Sequence, residues 1–348
     1  MARGRIGLDI GSTAVRAVEL AGSPPAVVRA SQIALPPGAV ESGEVRDPTA
    51  VSDALRRLWD EGGFKGRQVY LGVGNQRVVV REIALPYLPE KELRSSLGFQ
   101  VQEFIPMPVE DAVLDYHAVG EFEQEDRRML RMLLVAAQRS MVDLVVDAVR
   151  VAKLDPLGID LIPFALVRSV GASDTGLDLE QGQVEEAIVD IGAHVTNIVV
   201  HARRETRFVR ILPSGGRDIT VAIARSSGVE DEVAERLKRG QEVEGAPKPQ
   251  EVRQAALQRA AAFVDEVRSS LEFYTAQTRE ARIGHVKITG GGSRLEGLFD
   301  LMRQRIPVPV EPGAVFSHIA HQLDEADVTA AEPLLAVAVG LALPEEDA

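Results

Sequence analysis

The sequence predicts an α/β protein made of two similar lobes that face each other across a cleft. The main observation is a long-range internal repeat: GLDIGSTAVRAVEL, starting at Gly7, and IVDIGAHVTNIVV, starting at Ile188, share a strand, an Asp-Ile-Gly turn and a second strand. Each copy continues into mixed helical and strand patterns. The length of 348 residues and the hydrophobic content of 45% also suit more than one core.

The first half opens with β patterns, and we expect strands at residues 5–10, 14–20, 26–36, 68–74 and 77–86. A helix is predicted over 47–64. Asp47 or Thr49 can cap its start, apolar residues recur at helical spacing, and Gly62-Gly63 can end it.

Between Pro89 and Lys153 the pattern changes to that of a small inserted α-β-β-α module. We expect helices at 90–104 and 140–154, and paired strands at 113–119 and 127–138. A strand running into a helix then follows over 155–173.

A polar, glycine-spaced boundary loop from Thr175 separates the halves, and the second half begins with Ala187. Its predicted elements are a strand, a Gly-Gly turn and a helix over 207–228, helices at 229–240 and 251–278, a strand at 285–289, and a triple-glycine turn that opens a helix at Ser293.

The composition excludes several classes of function. The net charge of −13 disfavours general binding to polyphosphate backbones, and the basic stretch RRETRFVR from Arg203 is interpreted as a solvated hairpin tip. The absence of cysteine excludes disulfides, thiolate metal sites and cysteine nucleophiles. No apolar signal region is found at the start, and the apolar run 334–343 is about half of what spans a bilayer. We therefore expect a soluble, cytoplasmic protein.

The two Asp-Ile-Gly turns predict a phosphate site. Gly11 lets the backbone bend so that successive N–H groups point into one concavity, and Ser12 and Thr13 add hydroxyl donors. Asp9 would repel a bare phosphate, so its presence requires a cation, for which Mg²⁺ is the obvious candidate. The second copy would supply Asp190, Gly192 and Thr196 from the opposite side, so that two hairpins hold one triphosphate.

Each piece alone has a structural alternative. A single Asp-x-Gly turn is structural more often than functional, and the glycines Gly290, Gly291 and Gly292 before Ser293 could form a tight strand-to-helix turn. Three consecutive glycines exceed what such a turn needs, and they would permit close approach of a flat ligand. The spacing fits neither the Walker loop nor the dinucleotide fingerprint.

Taken together, these motifs resemble those of the actin-like ATPase superfamily, whose fold is related to that of ribonuclease H. LDIGSTAVR is similar to the first phosphate turn, with Arg16 where many members have lysine, and VDIGAHVT is similar to the second. The resemblance implies further nucleotide-site residues: Gly215, Gly216 and Asp218 in SGGRD near the phosphates, Glu235 and Lys238 in AERLKR near adenosine, and the glycines of TGGGS at the adenosine turn. IPFALVRSVGAS and EPLLAVAVGLAL resemble the two connecting helices.

Several stretches outside these turns resemble the PilM family of type IV pilus assembly: QEFIPMPVEDAVLDYHAV, MLLVAAQRSMVDLVVDAVRVAKLDP, VRSSLEFYTAQ and AVAVGLAL. This likeness implies an ATP-binding scaffold or switch with an inserted subdomain of the type found in FtsA, called 1C. It also implies binding of the N-terminal cytoplasmic tail of the inner-membrane protein PilN in a groove beside that subdomain. Motor or platform proteins of the pilus are further candidate partners, and membrane contact would come through partners.

The implied division has four parts: a lobe 1 core of residues 1–78, 153–184 and 326–348, the inserted subdomain 79–152, a lobe 2 core of 185–228 and 285–325, and subdomain 2B over 229–284. Phe104, Ile105 and Pro106 are candidate partner-groove residues, and Phe99 and Met107 could also line the groove. Core packing explains Phe99, Phe104, Ile105 and Met107 at least as well.

Two alternatives stay open: an FtsA-like cell-division protein and a small-molecule kinase of the same fold. A kinase needs a carboxylate base aimed at its substrate, and none stands out beyond Asp9 and Asp190, so binding with at most slow hydrolysis is expected. His318 and His321 could share a helix face, but they have no third metal ligand nearby. His194 is interpreted as an exposed turn residue in preference to a phosphate contact.

Overall fold

The computed structural model describes residues 4–171, 184–245, 247–278 and 281–344, and only the backbone of 325–330. The predicted boundary loop from Thr175 lies outside the described residues as far as 183. The strands, in chain order, are β1 (Arg5–Ile10), β2 (Ala14–Ala21), β3 (Ala26–Ala34), β4 (Val40–Glu41), β5 (Glu44–Val45), β6 (Gln68–Val73), β7 (Val78–Pro86), β8 (Ala112–Gln124), β9 (Arg127–Gln138), β10 (Asp155–Leu161), β11 (Val184–Ile191), β12 (Thr196–Ala202), β13 (Glu205–Leu212), β14 (Arg282–Thr289), β15 (Val310–Pro312) and β16 (Ala320–His321). The α-helices are α1 (Pro48–Gly62), α2 (Glu90–Gln100), α3 (Arg139–Val151), α4 (Ile162–Val170), α5 (Gly216–Ser227), α6 (Asp231–Lys238), α7 (Pro249–Gln277), α8 (Leu298–Arg305) and α9 (Glu325–Ala342).

Two sheets that share the same five-stranded topology confirm the internal repeat, and the first sheet adds the edge strand β16. The first has the order β10-β6-β1-β2-β3-β16, and the second has the order β13-β12-β11-β14-β15. In each, three antiparallel strands lie side by side, and two further strands run parallel to the first of them. The two copies of the Asp-Ile-Gly motif end the equivalent strands β1 and β11, which places both turns at corresponding corners of their sheets.

Helices α4 and α9 form a layer between the two sheets. Their apolar side chains share one core with Val18 and Val27 of the first sheet and with Ile188 and Val199 of the second. Gly340 of α9 permits this crossing, because a Cβ there would lie 1.9 Å from the carbonyl oxygen of Ala165 in α4. The sheets are therefore joined through two helices whose backbones touch, as the resemblance implied for the connecting helices.

Each sheet has its own helices on the outer face. Helices α1 and α3 cover the first sheet over Ile6 and Leu8, and α5, α7 and α8 cover the second over Val189 and Ile191. Strands β11 and β12 are buried almost throughout because both faces of that sheet are covered. Helix α1 begins and ends as predicted: Asp47 accepts a hydrogen bond from the backbone N–H of Ala50.

The inserted segment forms a three-stranded sheet, β7-β9-β8, with α2 packed on one face. Helix α3 differs from the expectation of an α-β-β-α module. The apolar face of this amphipathic helix contains Val145, Ala148 and Val149, and these residues pack into the core beneath the first sheet. The predicted division into four parts thus stays a proposal, and α3 packs mainly with lobe 1.

Three local predictions are wrong. Ser293 does not open an α-helix, because Gly291–Arg294 forms a 3-10 turn and α8 begins at Leu298. His318 and His321 share no helix, since the first follows a short 3-10 turn and the second lies in β16. Helix α2 ends at Gln100, before the Phe104 that the pattern included. Throughout the described ranges, no helix has the length and apolar character needed to cross a membrane.

Candidate functional site

A cleft of about 780 Å³ opens between the two sheets. The β1–β2 loop and residues of α9 line it from the first lobe. The β11–β12 loop, the start of α5, the end of α6 and the glycine turn line it from the second. The predicted residues in its wall are Asp9, Gly11, Ser12, Thr13, Arg16, Asp190, Gly192, Gly216, Glu235, Lys238, Gly290, Gly291 and Gly292. Thr196, Gly215, Asp218 and Ser293 are not in that wall.

The two turns are closed by the same backbone hydrogen bond. The N–H of Gly11 donates to the carbonyl of Ala14 at 3.1 Å, and the N–H of Gly192 donates to that of Val195 at 2.9 Å. When the two loops are aligned on this hydrogen bond, Ala193 and His194 of the second loop correspond to Ser12 and Thr13 of the first. The second loop therefore carries an imidazole where the first carries a hydroxyl.

Thr196 begins strand β12 and is fully buried. Its hydroxyl donates to the carbonyl of Ser214 at 2.8 Å, which ties the second loop to the segment before α5. In the strand register Thr196 is equivalent to Val15, not to Thr13. Its hydroxyl thus holds the loop in shape and does not face the cleft.

Asp9 and Asp190 are both almost fully buried and close enough to influence each other. Burial raises the pKa of Asp9, and the guanidinium of Arg16 partly offsets this. Burial and the charge of Asp9 raise the pKa of Asp190 to about 7. The two lobes therefore bring together a pair of carboxylates that resist carrying two negative charges, which is the environment that a cation relieves.

Each aspartate faces a polar partner across its hairpin. Arg16 lies opposite Asp9 in the register, and its Nη1 is 3.2 Å from Asp9 Oδ2. Asn197 lies opposite Asp190 and hydrogen bonds to it through its side chain. Sequence reasoning missed Asn197, although aligning the second hairpin on the Asp9–Arg16 pair would have found it.

The chemistry of these residues fits a hydrated Mg²⁺. Two buried carboxylates on opposite walls can hold such an ion through its water ligands, and the ion then bridges to phosphate oxygens. Within the described residues no group of three acidic or histidine side chains could hold a metal by itself. The buried Nε of Arg16 and Oδ1 of Asn197 have no hydrogen-bond partner here, which leaves polar atoms for a ligand in the same corner.

The segment Gly215–Asp218 supports the second loop from behind. A Cβ on Gly215 would lie 2.5 Å from the carbonyl oxygen of Gly192, so glycine allows the two segments to touch. The N–H groups of Gly216 and Arg217 donate to the carbonyls of Gly192 and Ala193 at 3.0 and 2.7 Å. Asp218 accepts from the N–H of Gly215 at 2.9 Å and caps α5. Gly216 lines the cleft, whereas Gly215 and Asp218 hold the loop in place.

Lys238 and Glu235 form a polar cluster at the α5–α6 side of the cleft. The Nζ of Lys238 lies 2.6 Å from Glu235 Oε2 and donates to Thr220 Oγ1 at 2.8 Å and to the carbonyl of Gly216 at 2.9 Å. Burial would raise the pKa of Glu235, but Lys238 lowers it below its usual value. The pair is thus fixed as an ion pair beside the cleft, as expected of a polar rim for a ribose or base.

The turn Gly290–Gly292 lies so close to strand β11 that residues with a Cβ would clash with it at Gly290 and Gly292. Gly290 has a φ of 85°, and a Cβ there would lie 2.5 Å from Asp190 Oδ1 and from the carbonyl oxygen of Ile191. A Cβ on Gly292 would lie 2.4 Å from the side chain of Ile191. Gly291 faces the cleft beside Leu334, and Ser293 hydrogen bonds back to the carbonyl of Gly290 at 2.7 Å.

The predicted partner-groove residues have different environments. Ile105 is buried and Phe104 packs beside it in the core of the three-stranded sheet, whereas Pro106 is exposed. Nearby on α2, Phe99 is 87% exposed. An aromatic side chain so open to solvent is the stronger candidate for a contact surface, and the sequence did not mark it as more exposed than its neighbours.

The family model described as "Type IV pilus assembly protein PilM" matches residues 7–346. The chain belongs to the PilM family of type IV pilus assembly proteins. A solved structure entitled "PilM-PilN type IV pilus biogenesis complex" is similar to this PilM-family chain at 30% identity, over 97% of each chain, with a TM-score of 0.85. The predicted family is therefore confirmed, and the cell-division and kinase alternatives are disfavoured.

More distant structures share the fold. The ethanolamine utilization protein EutJ from Carboxydothermus hydrogenoformans aligns at 15% identity with a TM-score of 0.59, covering 98% of this PilM-family chain and 90% of its own. MreB5 of Spiroplasma citri, solved with ADP, aligns at 12% identity with a TM-score of 0.54, covering 97% and 95%. These likenesses confirm the actin-like fold.

Proposed function

We propose that this PilM-family chain binds Mg²⁺-ATP in the cleft between its lobes and acts as a nucleotide-dependent scaffold of type IV pilus assembly. The observation that carries the proposal is the pair of buried aspartates, one from each lobe, on loops closed by the same hydrogen bond. An acidic pair in a cleft whose wall also contains two glycine-bearing loops and the turn Gly290–Gly292 suits a metal-bound triphosphate better than a sugar or an amino acid.

Each group of residues would have a distinct task. The loop N–H groups and the hydroxyls of Ser12 and Thr13 would bind phosphate oxygens, and Arg16 would share its charge between Asp9 and the phosphates. The magnesium would supply the positive charge that lets Asp9 and Asp190 ionise together. Glu235, Lys238 and the turn Gly290–Gly292 would hold the nucleoside.

Binding is proposed without efficient turnover. In the part of the cleft that the structure describes, the lining carboxylates are Asp9, Asp190 and Glu235. Asp9 pairs with Arg16, Asp190 with Asn197, and Glu235 with Lys238. A carboxylate engaged in this way is poorly placed to act as the general base of a kinase or to orient an attacking water.

The proposed protein partner is the N-terminal cytoplasmic tail of PilN, beside the three-stranded sheet. The similar solved structure is of a complex of PilM with PilN. Phe99 and Pro106, on and just after α2, provide exposed apolar surface for a short peptide, and Phe104 and Ile105 support it from below. Through this tail the chain would lie at the cytoplasmic face of the inner membrane, and other pilus components, such as a motor or platform protein, could bind it there.

Isothermal titration calorimetry of the purified chain with ATP, with and without Mg²⁺, tests the nucleotide. We expect saturable, magnesium-dependent binding that Asp190→Ala abolishes and that Asp300→Ala, on the exposed part of α8, leaves unchanged. Gly291→Val should also block binding, because it adds a side chain to the cleft wall beside Leu334. No saturable binding to the wild-type chain would refute the proposal.

A further inference from the structure

The hairpin β4–β5 crosses from the first lobe to the second. Its turn, Ser42-Gly43, reaches the loop that follows β11, where the backbone N–H of Ser42 donates to Nδ1 of His194 at 3.2 Å. Gly43 also lines the cleft. The contact joins residues 152 positions apart and lies at the tips of the loops that form the predicted phosphate site.

The hairpin is fixed to the first lobe by side-chain contacts. The Nδ2 of Asn75, which is buried, donates to the carbonyl of Gly43 at 2.8 Å. The Nε of Arg77 donates to Glu44 at 2.6 Å. Ser42 has a φ of 51°, the left-handed conformation that directs its N–H out of the hairpin. The turn is therefore held to the first lobe, and its hydrogen bond to His194 would break if the lobes separated.

His194 has a defined tautomer in this contact. Because Nδ1 accepts the hydrogen bond from Ser42, the neutral imidazole carries its proton on Nε2. Burial and the charge of Arg217 lower the pKa of His194, against the opposing influence of Glu41 and Asp218, so the ring is neutral at physiological pH. His194 occupies the place that Thr13 has in the first loop, and it lines the cleft. Its Nε2–H is thus a donor available to a ligand there.

We propose that the β4–β5 hairpin and His194 form a clasp across the cleft. The Ser42–His194 hydrogen bond keeps the phosphate end closed and presents the imidazole Nε2–H to the terminal phosphate of a bound nucleoside triphosphate. This inference rests on the proposed function for the identity of the ligand, and it adds a residue that controls how fast the nucleotide leaves. A diphosphate, which lacks the terminal group, would be retained less well.

The closed contact is tested first without nucleotide. Ser42→Cys/Ala193→Cys keeps His194, and because the chain has no cysteine of its own, it carries the only two thiols. Dibromobimane becomes fluorescent when it joins both. We expect cross-linking in the nucleotide-free protein. Ser42→Cys/Ser226→Cys is the control, because Ser226 lies ten residues beyond Gly216 on α5, about 15 Å from its cleft end, and should not be joined. Absence of a cross-link in the first variant would overturn the clasp.

The second test measures release of a fluorescent ATP analogue by stopped flow. His194→Ala should release it about tenfold faster, whereas His194→Gln should stay near the wild-type rate, because its amide offers both an acceptor and a donor. His318→Ala, an imidazole outside the cleft wall, should change nothing. A release rate for His194→Ala within twofold of the wild type would overturn the proposal. If the wild-type chain binds no nucleotide, the proposed function fails and the cross-link alone decides whether the clasp exists.

Discussion

Replacing Asp190 by asparagine should make the nucleotide-free protein more stable, although it removes a residue of the proposed site. The folded protein holds the pKa of Asp190 at about 7, above its ordinary value of 3.8, because the carboxyl is buried and faces Asp9. A group whose folded pKa is raised binds extra protons in the native state. The free energy of unfolding therefore falls as pH rises from about 4 towards 7, and the penalty is complete above that.

The magnitude follows from the two pKa values. At about 1.4 kcal/mol per pKa unit, the raised pKa of Asp190 destabilises the fold by roughly 2 kcal/mol at pH 5, where the native carboxyl must keep its proton, and by up to ~4 kcal/mol at pH 8, where it is ionised. Asparagine has nearly the shape of the protonated acid and can still pair with Asn197, so Asp190→Asn should remove this penalty. The stability gained by the variant should therefore grow with pH.

Urea unfolding of the wild type and of Asp190→Asn, at half-unit steps from pH 5 to pH 8, measures the difference. Adding Mg²⁺ and ATP at pH 8 should stabilise the wild type, because the cation relieves the repulsion, and should leave the variant unchanged. Asp300→Asn, on the exposed side of α8, is the control for loss of one surface charge. A difference that does not depend on pH, or a variant less stable than the wild type at pH 8, would refute the electrostatic argument.

Three further substitutions test other parts of the structure. Gly290→Ala places a Cβ 2.5 Å from Asp190 at a φ of 85°, so denaturant titrations should show a free energy of unfolding lower by more than ~3 kcal/mol. Gly228→Ala is the control, because Gly228 has a φ of 63° but open space around it at the end of α5, and it should cost only about 1 kcal/mol. Lys238→Met removes the ammonium that pairs with Glu235 and donates to the carbonyl of Gly216, so calorimetry should show about tenfold weaker ATP binding. The exposed control Lys248→Met should leave the affinity unchanged. Phe99→Ser should change the free energy of unfolding by less than ~0.5 kcal/mol but weaken binding of the PilN tail peptide at least tenfold, as measured by fluorescence anisotropy. The control is Phe273→Ser, which changes a half-exposed phenylalanine on α7. If both variants bound the peptide with the same affinity, the proposed surface would be wrong.

The sequence predicted the fold well because its strongest signals are local. Alternation of apolar residues around the two Asp-Ile-Gly turns defines both hairpins, and the repeat of that pattern indicates two related sheets. Asp47 and Gly63 bound α1 as capping chemistry requires. These features depend on residues a few positions apart, so no knowledge of the tertiary structure was needed.

The site was harder to predict where a residue's role depends on loop register. Thr196 is near a glycine in the second motif, as Thr13 is in the first, yet the closing hydrogen bond of Gly192 places it at the start of the strand. Ser293 follows three glycines and suggests a helix start, but the positive φ of Gly290 leads into a 3-10 turn instead. The cross-cleft contact of His194 joins segments 152 positions apart, and no local pattern indicates such a pair.

The position of α9 has a consequence for biosynthesis. This helix covers β1 and β2, which are translated before the other elements described here, and its Gly340 packs on α4. Its residues are translated after every other element described here. The part of the first sheet that α9 covers thus stays exposed on the nascent chain until translation has passed residue 342, and a chaperone that shields such surfaces would find its target there.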